Sequence, residues 1–193
     1  MKIVLATSNP GKVSELKEAL LDFEIIAQSE FSFEDAEETA LSFVENAIIK
    51  ARHASLHTGL PAIADDSGIE VSFLNGAPGI YSARFAGTNA NARLNNEKLI
   101  ASLVGVSNRK ARFRCVAVYM AHANDPSPII AQGSWDGEIL KSFKGENGFG
   151  YDPIFYVPEY KCSAAELSFE LKNKISHRAK AINELKQHLK QVL

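Results

Sequence analysis

The chain is poor in cysteine, in charge of either sign in excess, and in long apolar runs. Each shortage excludes a class of protein. Of 193 residues only Cys115 and Cys162 are cysteines, and with no CxxC and no close-spaced pair neither a zinc cluster nor a disulfide framework is indicated. Cys115 lies in the alternating run Phe113-Arg114-Cys115-Val116-Ala117-Val118-Tyr119 and reads as a small buried apolar residue; Cys162 lies in a polar stretch. Lys and Arg total 21 against 23 Asp and Glu, a formal net charge of -2, so the broad basic footprint that nucleic acid demands is missing. No segment approaches the roughly 20 apolar residues that span a bilayer, and the first residues hold no apolar run long enough for a signal peptide. The expectation is a cytoplasmic protein with no nucleic-acid or membrane partner.

What is present is globular. An apolar fraction of 46% in a 21.1 kDa chain can bury a substantial core, enough for one domain over residues 1–193. An apolar strand at Ile3 to Ala6 runs into the polar loop Thr7-Ser8-Asn9-Pro10-Gly11-Lys12. Val13, Leu16, Leu20 and Phe23 then recur at helical spacing, with Ser8 or Asn9 as cap and Pro10 in the first turn. A short strand at Glu24 to Ala27 leads to the acidic segment 34–39, and a helix follows with Leu41, Val44, Ile48 and Ala51 on one face; Lys50, Arg52 and His53 near its far end complement the helix dipole.

Further on, a strand enters Asp65, a turn follows, and Ile69 to Phe73 reads as another strand. A Gly/Pro-rich loop, a helix around 90–104 and long strands at 112–121 and 129–139 come next, the last two most simply an antiparallel pair. Trp135 reads as strand packing. Ser163 to Glu166 has capping-box form, and a final helix begins near Ser176 with Ile182, Leu185, Leu189 and Val192 on one face. Such a mixture implies an α/β (mixed α+β) fold with a central mixed sheet flanked by helices.

Several loops carry residues suited to chemistry. Pro61 to Gly68 drives an apolar strand into adjacent carboxylates, and in α/β proteins ligands bind beyond the carboxyl ends of strands. Successive strand side chains point to opposite faces, so Asp65 and Asp66 play different parts; Asp, Ser and Gly are equally ordinary turn residues. Thr7 to Lys12 can hold an anion on helix-start amides, Gly11 and Lys12, although the spacing is not that of a P-loop and a plain helix cap serves as well. Glu37 and Glu38 precede a helix, where acids are favourable in any case; the alternative is magnesium ligation, which takes one or two carboxylates and fills its other positions with water and phosphate oxygens. Phe149-Gly150-Tyr151-Asp152-Pro153 offers aromatics and an acid suited to a planar ring, and Ser176-His177-Arg178 offers donors at a helix start.

Taken together, these motifs resemble the inosine triphosphate pyrophosphatase family, in its bacterial branch. The residues that carry the likeness are Thr7 to Lys12, Glu37-Glu38-Thr39, Phe43 to Ala47, Ala64 to Gly68, Gly76 to Arg84, Gly148 to Pro153 and Ser176 to Arg178, in family order. The resemblance implies an elongated mixed sheet, two lobes around a deep substrate cleft, Mg2+ dependence and a homodimer. It also implies hydrolysis of non-standard purine nucleoside triphosphates (dITP, ITP, XTP) to monophosphate and pyrophosphate, a cleansing of the nucleotide pool. Position by position, Thr7, Ser8, Asn9, Pro10, Gly11 and Lys12 would bind phosphates. Asp66 would be general base and metal ligand with Glu37 as its acidic partner, and Ser67 would touch substrate. Phe149, Gly150, Tyr151, Asp152, Lys172, His177 and Arg178 would hold the base, while Asp65 would support the turn. A septum-formation-inhibitor type of pyrophosphatase opens with a different loop, and a non-catalytic nucleotide sensor would have no need of a poised base at position 66.

Overall fold

A computed structural model describes residues 1–192. In chain order the elements are β1 (Lys2–Leu5), α1 (Pro10–Ala19), β2 (Glu24–Ala27), α2 (Phe43–Thr58), β3 (Ala62–Val71), α3 (Ala92–Ala101), β4 (Lys110–Met120), β5 (Ile129–Ile139), β6 (Phe155–Val157), β7 (Cys162–Ser163), α4 (Phe169–Ile175) and α5 (His177–Val192). The strands form one seven-stranded mixed sheet in the order β2-β1-β3-β4-β5-β6-β7. β1 runs parallel to both β2 and β3, whereas β6 is antiparallel to both β5 and β7. The α/β mixed sheet expected from the pattern is therefore the observed one.

Two compact units can be distinguished. The first comprises Met1–Asp66, Cys115–Gly133 and the chain from His177 on; the second comprises Ser67–Arg114 and Ser134–Ser176. β3, β4 and β5 each run from one unit into the other.

In the first unit the strand period of two sorts side chains onto two faces. Ile3, Leu5, Ile63, Cys115, Ala117 and Ala131 pack with Leu16 and Leu20 of α1 and Ala181, Ile182, Leu185 and Leu189 of α5. The alternate residues Val4, Ala6, Ala62, Ala64, Val116 and Val118 pack with Ala47, Ala51 and Ala54 of α2. Each fully buried Leu or Ile contributes about 1.5–3 kcal/mol, and the alanines let α2 lie close to the strands. α1 starts where Asn9 accepts a hydrogen bond from the Lys12 amide, with Pro10 in its first turn. Ser42 caps α2 in the same way, and Gly59 closes it in the left-handed conformation. The second unit has its own core, in which Phe113, Trp135 and Phe155 pack ring against ring beside Ile69, Leu99, Leu103 and Ile154.

Two expectations are corrected. No turn interrupts the segment after Asp65, because β3 continues through Asp66, Ser67 and Gly68 to Val71. Leu41 is not part of the α2 face; it precedes the Ser42 cap and is 82% exposed. Ser163 and Glu166 form the expected capping box, on a single 3-10 turn, and the final helix starts beside Ser176 as expected, with α4 preceding it. The short strands β6 and β7 were not foreseen. The side chain of Val192 lies outside the described residues.

Gly133 shows how tightly α5 is seated. A Cβ there would lie 2.0 Å from the backbone oxygen of His177 and 2.7 Å from the amide nitrogen of Ala181, atoms that can move only with the helix. Gly133→Ala is therefore expected to cost about 1–3 kcal/mol, read as a lower denaturation midpoint at an unchanged m-value.

Candidate functional site

The first unit gathers charged residues past the end of β1, at the middle of β3 and at the starts of α1 and α5. Side-chain parity along β3 divides them. Asp65 shares the parity of Ile63 and meets residues of α1 and α5. Asp66 shares the parity of Ala62 and Ala64 and meets α2.

On the first face Asp65, 1% exposed, receives Lys12 Nζ at 3.0 Å and Arg178 Nε at 3.3 Å on Oδ2. Arg178, itself buried, places Nη1 2.5 Å from Glu15 Oε2 on α1. Burial alone would push the Asp65 carboxyl up, but Lys12, Arg178 and Lys50 outweigh it and hold it far below the ordinary aspartate value. Arg178 is driven the other way: burial opposes its charge, yet Asp65 and Glu15 raise it above an ordinary guanidinium. The Cys115 thiol lies 3.9 Å from Asp65 Oδ2; burial first and Asp65 second push it up to about 12. It remains a neutral thiol, in keeping with a packing role.

On the second face Lys50 bridges two acids, with Nζ 2.9 Å from Glu38 Oε1 and 3.1 Å from Asp66 Oδ1. Burial pushes the Asp66 carboxyl upward, Glu38 adds to it, and the counter-pull of Lys50 does not cancel them. Burial would lower Lys50, but Asp66, Asp65 and Glu38 keep it above an ordinary lysine. The other oxygen of Asp66, Oδ2, is buried without a hydrogen-bond partner. A desolvated carboxylate oxygen left unpaired beside a second carboxylate suits a divalent cation, so these residues fit magnesium. Magnesium takes one or two carboxylates and completes its shell with water and phosphate oxygens.

The neighbouring acid is Glu38. Glu37, the expected partner, is exposed, and it is Glu38 that shares Lys50 with Asp66. Lys50 itself was assigned to the helix dipole. It lies in the interior of α2, where positions 47, 50, 51 and 54 fall on one helical face, and a lysine amid that alanine stripe was the signal of a buried partner. Glu15 is a second residue not foreseen.

The loop 7–12 is open to solvent at Ser8, Asn9 and Pro10 and half-buried at Thr7, Gly11 and Lys12. Thr7 Oγ1 accepts from the Asn9 amide, and the Ser8 hydroxyl donates to Asp35 Oδ2. His177 is buried in the first turn of α5, where its backbone oxygen approaches Gly133.

In the second unit Lys172 Nζ lies 2.6 Å from Asp152 Oδ2 and 4.5 Å from the centre of the Phe149 ring. Asp152 Oδ2 also accepts from the Phe149 amide at 2.9 Å. Gly148 makes room for this arrangement: it sits at φ +75°, and a Cβ there would be 2.1 Å from the same oxygen. Asn96 Nδ2 donates to the Gly150 oxygen. Tyr151 differs from its neighbour Phe149, since its ring belongs to the core and its hydroxyl donates to the Ser82 oxygen at 2.7 Å. Burial raises its phenol. Phe149 is the half-buried aromatic of the loop, and the cation over its face favours a flat, electron-rich surface. Ser67 follows Asp66 along β3 and is also half-buried.

The first unit thus carries an acid pair on β3 and a polar loop at the start of α1, and the second carries a lysine–aspartate–aromatic loop, each a type of group found in α/β enzymes that act on phosphorylated ligands. Comparison with known proteins makes the class specific: residues 3–188 match the Ham1 family, and the chain belongs to that family. It is 59% identical over 188 residues to the dITP/XTP pyrophosphatase of Vibrio parahaemolyticus, covering 95% of this chain and 94% of that one. It is 58% identical over 193 residues to that of Thioalkalivibrio sulfidiphilus, covering 98% of each. A HAM1 protein from Coxiella burnetii has a solved structure that superposes with a TM-score of 0.92 at 51% identity over 99% of both chains. The Staphylococcus aureus Ham1 protein gives 0.89 at 45% over the full length of both.

The two aspartates differ in what their loss would do. Asp65→Asn leaves Lys12 and Arg178 short of a buried counter-charge and is expected to cost about 3–5 kcal/mol of stability at neutral pH. Because the Asp65 carboxyl is depressed in the folded protein, its contribution is complete above the ordinary aspartate value and fades as pH falls toward the folded one. Urea titrations of wild type between neutral pH and strong acid should show this loss below about pH 4, and the variant should show a shallower one.

Proposed function

We propose that the protein hydrolyses non-standard purine nucleoside triphosphates, dITP, ITP and XTP, to the monophosphate and pyrophosphate, and so removes deaminated purines from the nucleotide pool. The observation that carries this reading is the unpaired, buried Oδ2 of Asp66 beside Glu38 and Lys50, in a chain whose close relatives are named dITP/XTP pyrophosphatases. Asp66 and Glu38 would hold Mg2+. Bound there, the ion supplies charge neutralisation on the phosphate oxygens and polarises the phosphorus under attack.

The remaining work falls to the chain. The loop from Thr7 to Lys12 takes phosphate oxygens, with the Lys12 ammonium offsetting their charge. Asp66 orients a water toward the α-phosphorus and accepts its proton as the new P–O bond forms; the bond to the bridging oxygen breaks, and that oxygen leaves with pyrophosphate. A carboxyl raised by burial is better matched to accepting a proton than an ordinary one. Positioning and charge stabilisation supply most of the acceleration in phosphoryl transfer. Ser67 contacts substrate. Phe149 offers its ring face to the purine, Lys172 and Asp152 its edge contacts through the Gly150–Tyr151 loop, and His177 and Arg178 donate toward a 6-keto oxygen. Adenine presents an amino group there, so it would leave donors unpaired at about 1–3 kcal/mol per contact. The reading includes residues 1–193 acting as one domain and a cytoplasmic setting, both from the composition of the chain, and a homodimer, which the family resemblance implies.

With Mg2+, pyrophosphate release from dITP and XTP is expected to exceed that from dATP by at least about fivefold, the low range for a buried polar mismatch at the 6-position, and to exceed that from dGTP as well, where the discriminating group is the 2-amino group rather than the shared 6-keto oxygen. Equal rates on all purines, or orthophosphate as first product, would refute the reading. In the same coupled assay, Asp66→Asn should nearly abolish turnover while equilibrium dialysis still shows bound nucleotide, and removal of Mg2+ with a chelator should abolish wild-type turnover.

A further inference from the structure

Glu15 is a carboxylate only 5% exposed on an otherwise ordinary helix. Burying a charge is costly unless it is paired, and the reading of the site so far gives this one no task. Its partner is Arg178, at 2.5 Å; Arg178 reaches Asp65, and Asp65 reaches Lys12. The series Lys12–Asp65–Arg178–Glu15 alternates in sign and carries no net charge. It also returns to its origin, because Lys12 and Glu15 stand three residues apart on α1 and so lie on neighbouring turns of one helical face.

We propose that Glu15 is a positioning residue that keeps Arg178 fixed while Lys12 engages phosphate, and thereby couples phosphate binding to purine selection. The inference rests on the proposed function and deepens it. Lys12 is drawn toward Asp65 in the structure. Phosphate arriving at Lys12 competes for the same ammonium and leaves Asp65 to lean more fully on Arg178. Without a second anchor the guanidinium would follow that pull. Glu15 holds its opposite edge, so the donors of Arg178 keep their direction as the charge around them changes. Two cations about the single carboxylate of Asp65 would also leave an uncompensated positive charge; Glu15 removes it without occupying Lys12.

A tie that merely joined α1 to α5 would act on every substrate alike. A positioning role acts on discrimination. Glu15→Gln keeps size and one acceptor but removes the charge, and kcat/KM is to be measured for dITP and dATP together with inhibition by inorganic pyrophosphate, which has no base to read. The dITP-to-dATP ratio is expected to fall at least about fivefold while the inhibition constant for pyrophosphate stays within about twofold of wild type or tightens. An unchanged ratio, with both substrates slowed equally or pyrophosphate inhibition weakened in step, would overturn the proposal. Should Glu15→Gln melt below the assay temperature, Glu15→Asp, which retains the charge on a shorter side chain, carries the same test with the same two outcomes. A wild-type protein with no preference for dITP would refute the proposed function itself, before any variant is compared.

Discussion

A carboxylate beneath a sheet is tolerable only where cations meet it, and Asp65 satisfies this condition with Lys12 from the start of α1 and Arg178 from the start of α5. The requirement runs in both directions. Arg178 is itself buried and depends on Asp65 and Glu15 for its counter-charge. The polar loop after β1 and the first turn of α5 are therefore held by electrostatics at one end and by the Leu16, Leu20, Ile182 and Leu185 packing further along. A buried series of this kind is weak evidence for net stability, since hydrophobic replacement can serve as well, but breaking it at one member is costly. Its value is geometric: it fixes where Lys12 and Arg178 stand.

The period of the β-strand then separates two tasks that adjacent, chemically identical residues could not otherwise divide. Asp65, on the α1 and α5 face, is ionised under all ordinary conditions because cations outweigh its burial. Asp66, one residue on, faces α2, where one lysine is shared with a second acid and burial prevails. One carboxylate is structural and charged; the other is desolvated, raised and incompletely paired. The same residue type thus yields a fully paired anchor and a raised, partly unpaired carboxyl through environment alone.

The second unit solves a different problem, the presentation of a flat ring. Asp152 accepts from the Phe149 amide and from Lys172, which holds the loop in shape and places an ammonium over the Phe149 face. Tyr151 anchors the same loop from below, on the Ser82 oxygen. Neighbouring aromatics that look equivalent in sequence are thereby divided into one that packs and one that remains partly open.

The sequence by itself determined the α/β class, the positions of α1, α2 and α5, the long strands β4 and β5, and the opposite facing of Asp65 and Asp66, because apolar periodicity and strand alternation are local properties of the chain. Trp135 as packing and Cys115 as a buried thiol were legible for the same reason, whereas the cap of α1 was narrowed only to Ser8 or Asn9, and the structure selects Asn9. β6, β7 and α4 were not, since elements of two to seven residues are too short to show a period and form only against neighbours. The supposed turn after Asp65 fails because tertiary pairing carries β3 straight through residues that favour turns when isolated. The pairing of Lys50 with Glu38 and Asp66 and the series Lys12–Asp65–Arg178–Glu15 were decided by tertiary structure: a charge finds its partner across distances in sequence that run from 12 residues, for Lys50 and Glu38, to 163, for Arg178 and Glu15, and no local pattern encodes which of several carboxylates will be buried beside it.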